Sequence, residues 1–140
     1  MEIKAIKSTL EDYARAYCSK DIESLMNVFD DTGNISVIGT GADELCVGSN
    51  EVRDLFLRNF EEATATQFEW KWLDIRISDN HAVVSVTLKI HLVHKGNNLK
   101  VPIRWTVVLK NKNGKWVWIH RNASTAASSQ EEGQAYPKDN

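Results

Sequence analysis

The feature that most constrains this chain is a change of hydrophobic period near its middle. Up to Ala63 apolar residues recur at spacings of three and four, the period of a helix with one buried face. From residue 67 onward they alternate, the period of a strand with one buried face. Segments 67–78, 82–94, 100–110 and 115–124 read as four long strands. Between them lie Ser78-Asp79-Asn80, Gly96-Asn97-Asn98 and Asn113-Gly114, residues that suit tight hairpin turns. Such turns join neighbours antiparallel, so the second half is a meander. Helices first and a meander afterwards predict an α+β fold, with three N-terminal helices packed on one face of an antiparallel sheet.

In the first half, Ile3, Ile6, Leu10, Tyr13 and Tyr17 share one face of a first helix. Ser19 or Asp21 can cap the next helix by accepting its free backbone N–H groups. That second helix carries Ile22, Leu25, Met26 and Phe29 and stops at Asp30-Asp31-Thr32-Gly33. A short strand runs from Ile35 to Ile38, followed by a loop over 39–44 and a brief apolar run, Leu45-Cys46-Val47. Ser49 reads as the cap of a third helix whose apolar face is Val52, Leu55, Phe56, Phe60 and Ala63.

A length of 140 residues with 42% hydrophobic and 26% charged residues suits one folded domain with a real core. We expect that domain to span 1–125, with a polar tail over 126–140 that Tyr136 can hold against the body or a partner. The net charge of −2 gives no electrostatic reason to expect nucleic acid or an anionic membrane as a partner. Cys18 and Cys46 are too few for a disulfide scaffold. The N-terminus lacks the unbroken apolar run of a signal peptide, and no stretch approaches the roughly 20 apolar residues of a membrane span. The expected location is cytoplasmic.

Ile38-Gly39-Thr40-Gly41-Ala42-Asp43-Glu44 followed by Val47-Gly48, then Arg104-x-Thr106, Gly114-Lys115-Trp116 and His120-x-Asn122-x-Ser124, stand in a telling order. Together they resemble the SnoaL-like branch of the nuclear-transport-factor-2-like superfamily, whose members share a cystatin-like cone. The resemblance covers most of residues 3–125. It implies a strongly curved meander closing on the helices to form a cone with an internal pocket, and often a homodimer. It implies no single activity: members include ketosteroid isomerases, polyketide cyclases, an epoxide hydrolase, dehydratases and non-catalytic association domains. The usual ending has a second histidine where this chain has Asn122, and an amide cannot exchange a proton near neutral pH.

The resemblance places the faces carrying Arg104 and His120 inside the cone, and we extend this to Lys89 and His91 on the neighbouring strand. Arg104 and Lys89 would then make the pocket cationic, suited to a small carboxylate. Glu44 is an alternative, internal partner for Arg104. His120 is either a general acid/base or a hydrogen-bonded structural residue, with Glu44 or Asp43 as its candidate partner. Asn122, Trp118, Tyr13 and Tyr17 complete the expected ligand-binding set. Trp105, Val107 and Leu109 are the candidates for a face the helices leave uncovered, through which two copies would pack sheet to sheet.

Several chemistries are disfavoured. Ile38 or a glycine stands where the ketosteroid isomerases carry their carboxylate base. No Gly-x-Ser-x-Gly elbow is present. His91-x-x-His94 puts two rings on opposite faces of a strand, so no metal site is expected, and no cofactor. The leading expectation is a homodimeric domain binding a small organic molecule. The alternatives are an enzyme of isomerase, cyclase or dehydratase type using His120 with Glu44 or Asp43, and a homo-oligomerisation domain.

Overall fold

The computed structural model describes residues 2–138. Helix α1 spans Glu2–Cys18, α2 Ile22–Met26 and α3 Gly48–Glu62. The strands are β1 Ser36–Ile38, β2 Leu45–Val47, β3 Thr64–Ser78, β4 His81–His94, β5 Asn97–Lys112 and β6 Lys115–Ser124. They form one curved, unclosed six-stranded sheet in the order β2-β1-β6-β5-β4-β3, with the helices on its concave side. Every pairing is antiparallel except that of β1 with β6, where Ser36 lies beside His120 and Ile38 beside Asn122. No helix among the described residues is long and apolar enough to cross a membrane.

Local chemistry accounts for the boundaries. Asp21 caps α2, its carboxylate accepting from the Ser24 N–H at 3.1 Å and the Ser24 hydroxyl at 2.7 Å. The helix is shorter than its apolar pattern predicts, because Phe29 leaves it to bridge to Trp118. At α3 the cap is Val47, not Ser49, and Glu51 reaches back to accept the Val47 N–H at 2.9 Å. The β5–β6 turn uses Asn113 and Gly114, with φ of 55° and 92°, as its composition requires. The β4–β5 turn is Lys95-Gly96, one residue earlier than the glycine-asparagine run suggests; Asn97 already pairs with His94.

One irregularity decides which residues face the helices. In β6, Val108 pairs with His120 but Leu109 pairs with Trp118, so Ile119 is an extra residue in the ladder. Strict alternation groups Trp118 with His120, Asn122 and Ser124. The bulge instead puts Trp118 on the face of Arg121 and Ala123, all three buried. Across the ladder Trp105, Val107 and Leu109 lie on that same inner face, only 4%, 0% and 0% exposed. They are therefore core and not the uncovered surface expected of them. The open face carries Arg104, Thr106, Asn122 and Ser124.

An aromatic stack joins α1 to the sheet. Tyr13 lies on Trp118 with centroids 4.8 Å apart and meets Trp105 edge-on at 5.0 Å. The Trp118 indole donates to the Thr9 hydroxyl at 2.9 Å, which in turn donates to the Ile6 carbonyl at 2.6 Å. At the other end, burial raises the carboxyl pKa of Asp30, but the Thr32 amide and Lys112 outweigh it and hold it below the usual range. Beyond β6 the described tail has no regular structure, and Tyr136 is 81% exposed, so it does not pack on the body.

Trp118→Phe keeps the ring against Tyr13 and removes the indole N–H. We expect it to cost about 1–3 kcal/mol in urea unfolding with an unchanged denaturant slope. An unaltered midpoint would show that the bond to Thr9 contributes nothing.

Candidate functional site

Between α1, α3, the loop 39–44 and the inner face of β3–β6 lies a cavity of about 270 Å³. Its apolar wall is Leu55 from α3, Phe68 from β3, Ile90 and Leu92 from β4, and Val101, Ile103 and Trp105 from β5. The inward residues of each strand supply it, because alternation turns every second side chain toward the helices. Polar groups come from separate elements: Tyr13 and Tyr17 from α1, Thr40 and Glu44 from the loop, Asn59 and Glu62 from α3, and Arg121 from β6.

Arg121 dominates the electrostatics. It is 6% exposed, donates to the Tyr13 hydroxyl at 3.0 Å and reaches the Ile38 carbonyl at 3.3 Å. Its guanidinium carbon sits 5.6 Å from the Trp105 ring centroid and 6.0 Å from that of Phe56. Nε has no hydrogen-bond partner, and no carboxylate among the described residues lies within 4.0 Å of the guanidinium. A buried cation without a counter-anion costs several kcal/mol by desolvation.

The two tyrosines are neutral donors. Burial pushes both phenols up, against the opposing pull of Arg121; for Tyr17 the neighbouring Tyr13 adds to the rise. Glu44 is already engaged. One of its oxygens accepts the Gly41 N–H at 2.7 Å and the other accepts from Arg58 at 3.1 Å, while Arg58 also holds Asp43 at 2.8 Å. A side chain at Gly39 would collide with the Glu44 carboxylate, which is why the loop closes on glycine there.

The remaining expected site residues lie elsewhere. His120 does not line the cavity; its Nδ1 is 2.8 Å from the Ser36 hydroxyl, so His120 and Glu44 do not converge. Arg104 sits on the open face, donating to the Ser124 hydroxyl at 3.2 Å and the Thr125 carbonyl at 3.3 Å, not pairing with Glu44. A shallow cleft there is lined by Arg104, Trp72, Thr87 and Asn122. Lys89 and His91 alternate with the inward Leu88, Ile90 and Leu92 and so share that outer face. His91 Nε2 is 2.8 Å from Glu69, which Lys71 also binds. Trp118 is core beneath Tyr13 and outside the cavity lining. The structure thus brings Tyr13, Tyr17 and Glu44 together and adds Arg121, Asn59 and Glu62, which sequence reasoning missed. For Arg121 a signal was present: it is the lone charge in the otherwise apolar set Val117, Ile119, Arg121, Ala123. Among the described residues no group of three or more His, Cys, Asp or Glu side chains could hold a metal ion.

The SnoaL-like domain model matches residues 6–128. The chain belongs to the SnoaL-like family. Solved structures share the fold of this SnoaL-like chain at low identity. A candidate dehydratase of the NTF2-like family from Streptomyces avermitilis matches with a TM-score of 0.82 at 14% identity, over 90% of this chain and 97% of the other. An NTF2-like protein from Cytophaga hutchinsonii gives 0.73 at 19% over 90% and 99%. A cystatin-like-fold protein from Caulobacter vibrioides gives 0.72 at 18% over 90% of each. No curated protein matches the chain in sequence. At these identities the likeness concerns the fold alone, and the cavity's chemistry has to come from its own residues.

One outer-face group carries a pH signature. Lys71 first, and then His91, hold the Glu69 carboxyl down to about 2 from an ordinary 4.5. A folded-state pKa below the unfolded one stabilises above the unfolded value and is lost as pH falls through the folded value. Between pH 4.5 and 2 the wild-type urea midpoint should therefore fall more steeply than that of Glu69→Gln. Parallel curves would remove Glu69 from the acid response.

Proposed function

We propose that the cone cavity binds a small organic molecule bearing an anionic oxygen group that seats against Arg121. The observation that carries this reading is the buried guanidinium with an unpartnered Nε and no carboxylate within 4.0 Å among the described residues. An anion in the cavity supplies the missing counter-charge, and charge-assisted hydrogen bonds there are stronger than in water. The apolar walls suit the ligand's body. This keeps the expected small, anionic ligand and moves its cation from Arg104 and Lys89 to Arg121.

Binding has more support than the enzyme alternative. An acid/base pair must reach one reacting atom, whereas His120 bonds Ser36 outside the cavity and Glu44 and Asp43 are both held by Arg58. The homodimer through the sheet belongs to the same proposal, on the open face, where Trp72, which shares a cleft with Arg104, is 59% exposed and Val83, opposite Val108, is 39% exposed. Sedimentation at low micromolar concentration should give a dimer that Trp72→Asp converts to monomer. A wild-type monomer would dismiss this face as an interface.

Ligand binding is tested by thermal shift and calorimetry with small carboxylic acids and their amides. Acids should raise the melting temperature and amides should not. Arg121→Met should abolish that response while leaving the unliganded protein within about 1 kcal/mol of wild type, or more stable, because it removes an uncompensated buried charge. A strongly destabilised variant that still answers to acids would make Arg121 a structural strut and overturn the reading.

A further inference from the structure

The cavity is asymmetric in charge. Among the described lining residues Arg121 is the single cation. Near it, the Tyr13 hydroxyl accepts from the guanidinium, and Tyr17 lies beside Tyr13. Each phenol still carries one O–H proton to give. The two rings stack at 5.8 Å, so guanidinium and phenols form one cluster of donors.

The rest of the charged lining has the other sign. Asn59, Glu62 and Ala63, which line the cavity, come from the last turn of α3 and its cap. That turn contains no basic residue, so the partial negative charge of the helix end is not offset there. Glu62 is exposed and forms no ion pair among the described residues. Glu44 adds a carboxylate to the same wall, with Arg58 outside the lining as its partner. At about 270 Å³ the space is small, so a ligand head bound to Arg121 stays within reach of these fields.

We infer that the cavity selects singly charged carboxylates with a compact apolar body, Tyr13 and Tyr17 donating beside Arg121 while Glu62 and the end of α3 reject a second negative charge. This rests on the reading of Arg121 as an anion site and adds which anions it takes. One guanidinium matches one charge. A second finds no further cation among the described lining residues and meets Glu62, Glu44 and a helix C-terminus.

Calorimetry on the full chain with three probes tests it: benzoate, benzamide and phenyl phosphate, at about pH 8, well above the phosphate's second pKa near 6. Benzoate should bind, benzamide should not, and phenyl phosphate should bind at least about tenfold more weakly than benzoate. Glu62→Gln, which removes a lining carboxylate, should strengthen phenyl phosphate more than benzoate and so shrink that ratio at least about threefold. Tyr13→Phe and Tyr17→Phe should each weaken benzoate. Equal affinity for the two anions, or a ratio unmoved by Glu62→Gln, overturns the inference and leaves the anion site standing. Absence of benzoate binding overturns both.

Discussion

Ile119, the extra residue of β6, sets the face on which the rest of the structure is built. By shifting the ladder between Val108 and Leu109 it turns Trp118 and Arg121, three residues apart, toward the same side. Trp118 then becomes the platform on which Tyr13 stacks, and Arg121 arrives beside the Tyr13 hydroxyl. The same ring thus belongs to the core through its face and to the cavity through its oxygen. Without the shift, one of the two residues would face outward, and α1 would lose either its anchor or the cavity its cation.

That arrangement carries an energetic tension. Around Trp118, donors and acceptors are matched: indole to Thr9, Thr9 to the Ile6 carbonyl. Around Arg121 they are not. Two hydrogen bonds and two aromatic faces compensate the guanidinium only in part, and Nε is left over. Folded proteins tolerate such imbalance where a ligand corrects it, since stability and function draw on the same few kcal/mol.

Much of the fold was legible in the sequence. The change of period at the middle located helices and meander, and Asn113-Gly114 marked the last hairpin correctly. Of the two candidate caps for α2, Ser19 and Asp21, it is Asp21 that caps the helix. The family followed from motif order, and its model covers residues 6–128. The site was less legible, for a physical reason. Alternation has a period of two, so one inserted residue inverts every assignment beyond it. Reading β6 without the bulge grouped Trp118 with His120 and Asn122, and the resemblance then sent the Arg104 face inward. Nothing in the residue types around Ile119 announces a bulge; only the ladder does. Tyr13 and Tyr17 line the cavity from a helical stripe, whose facing does not depend on strand parity.

The central claim is that the counter-charge missing from Arg121 is supplied by a ligand inside the cone. A crystal structure grown with benzoate tests it most directly. The account predicts the carboxylate within about 3 Å of the Arg121 guanidinium, its ring between Tyr17 and the apolar strand wall. Benzoate seated instead on Arg104 in the outer cleft, with the cone empty, would contradict it.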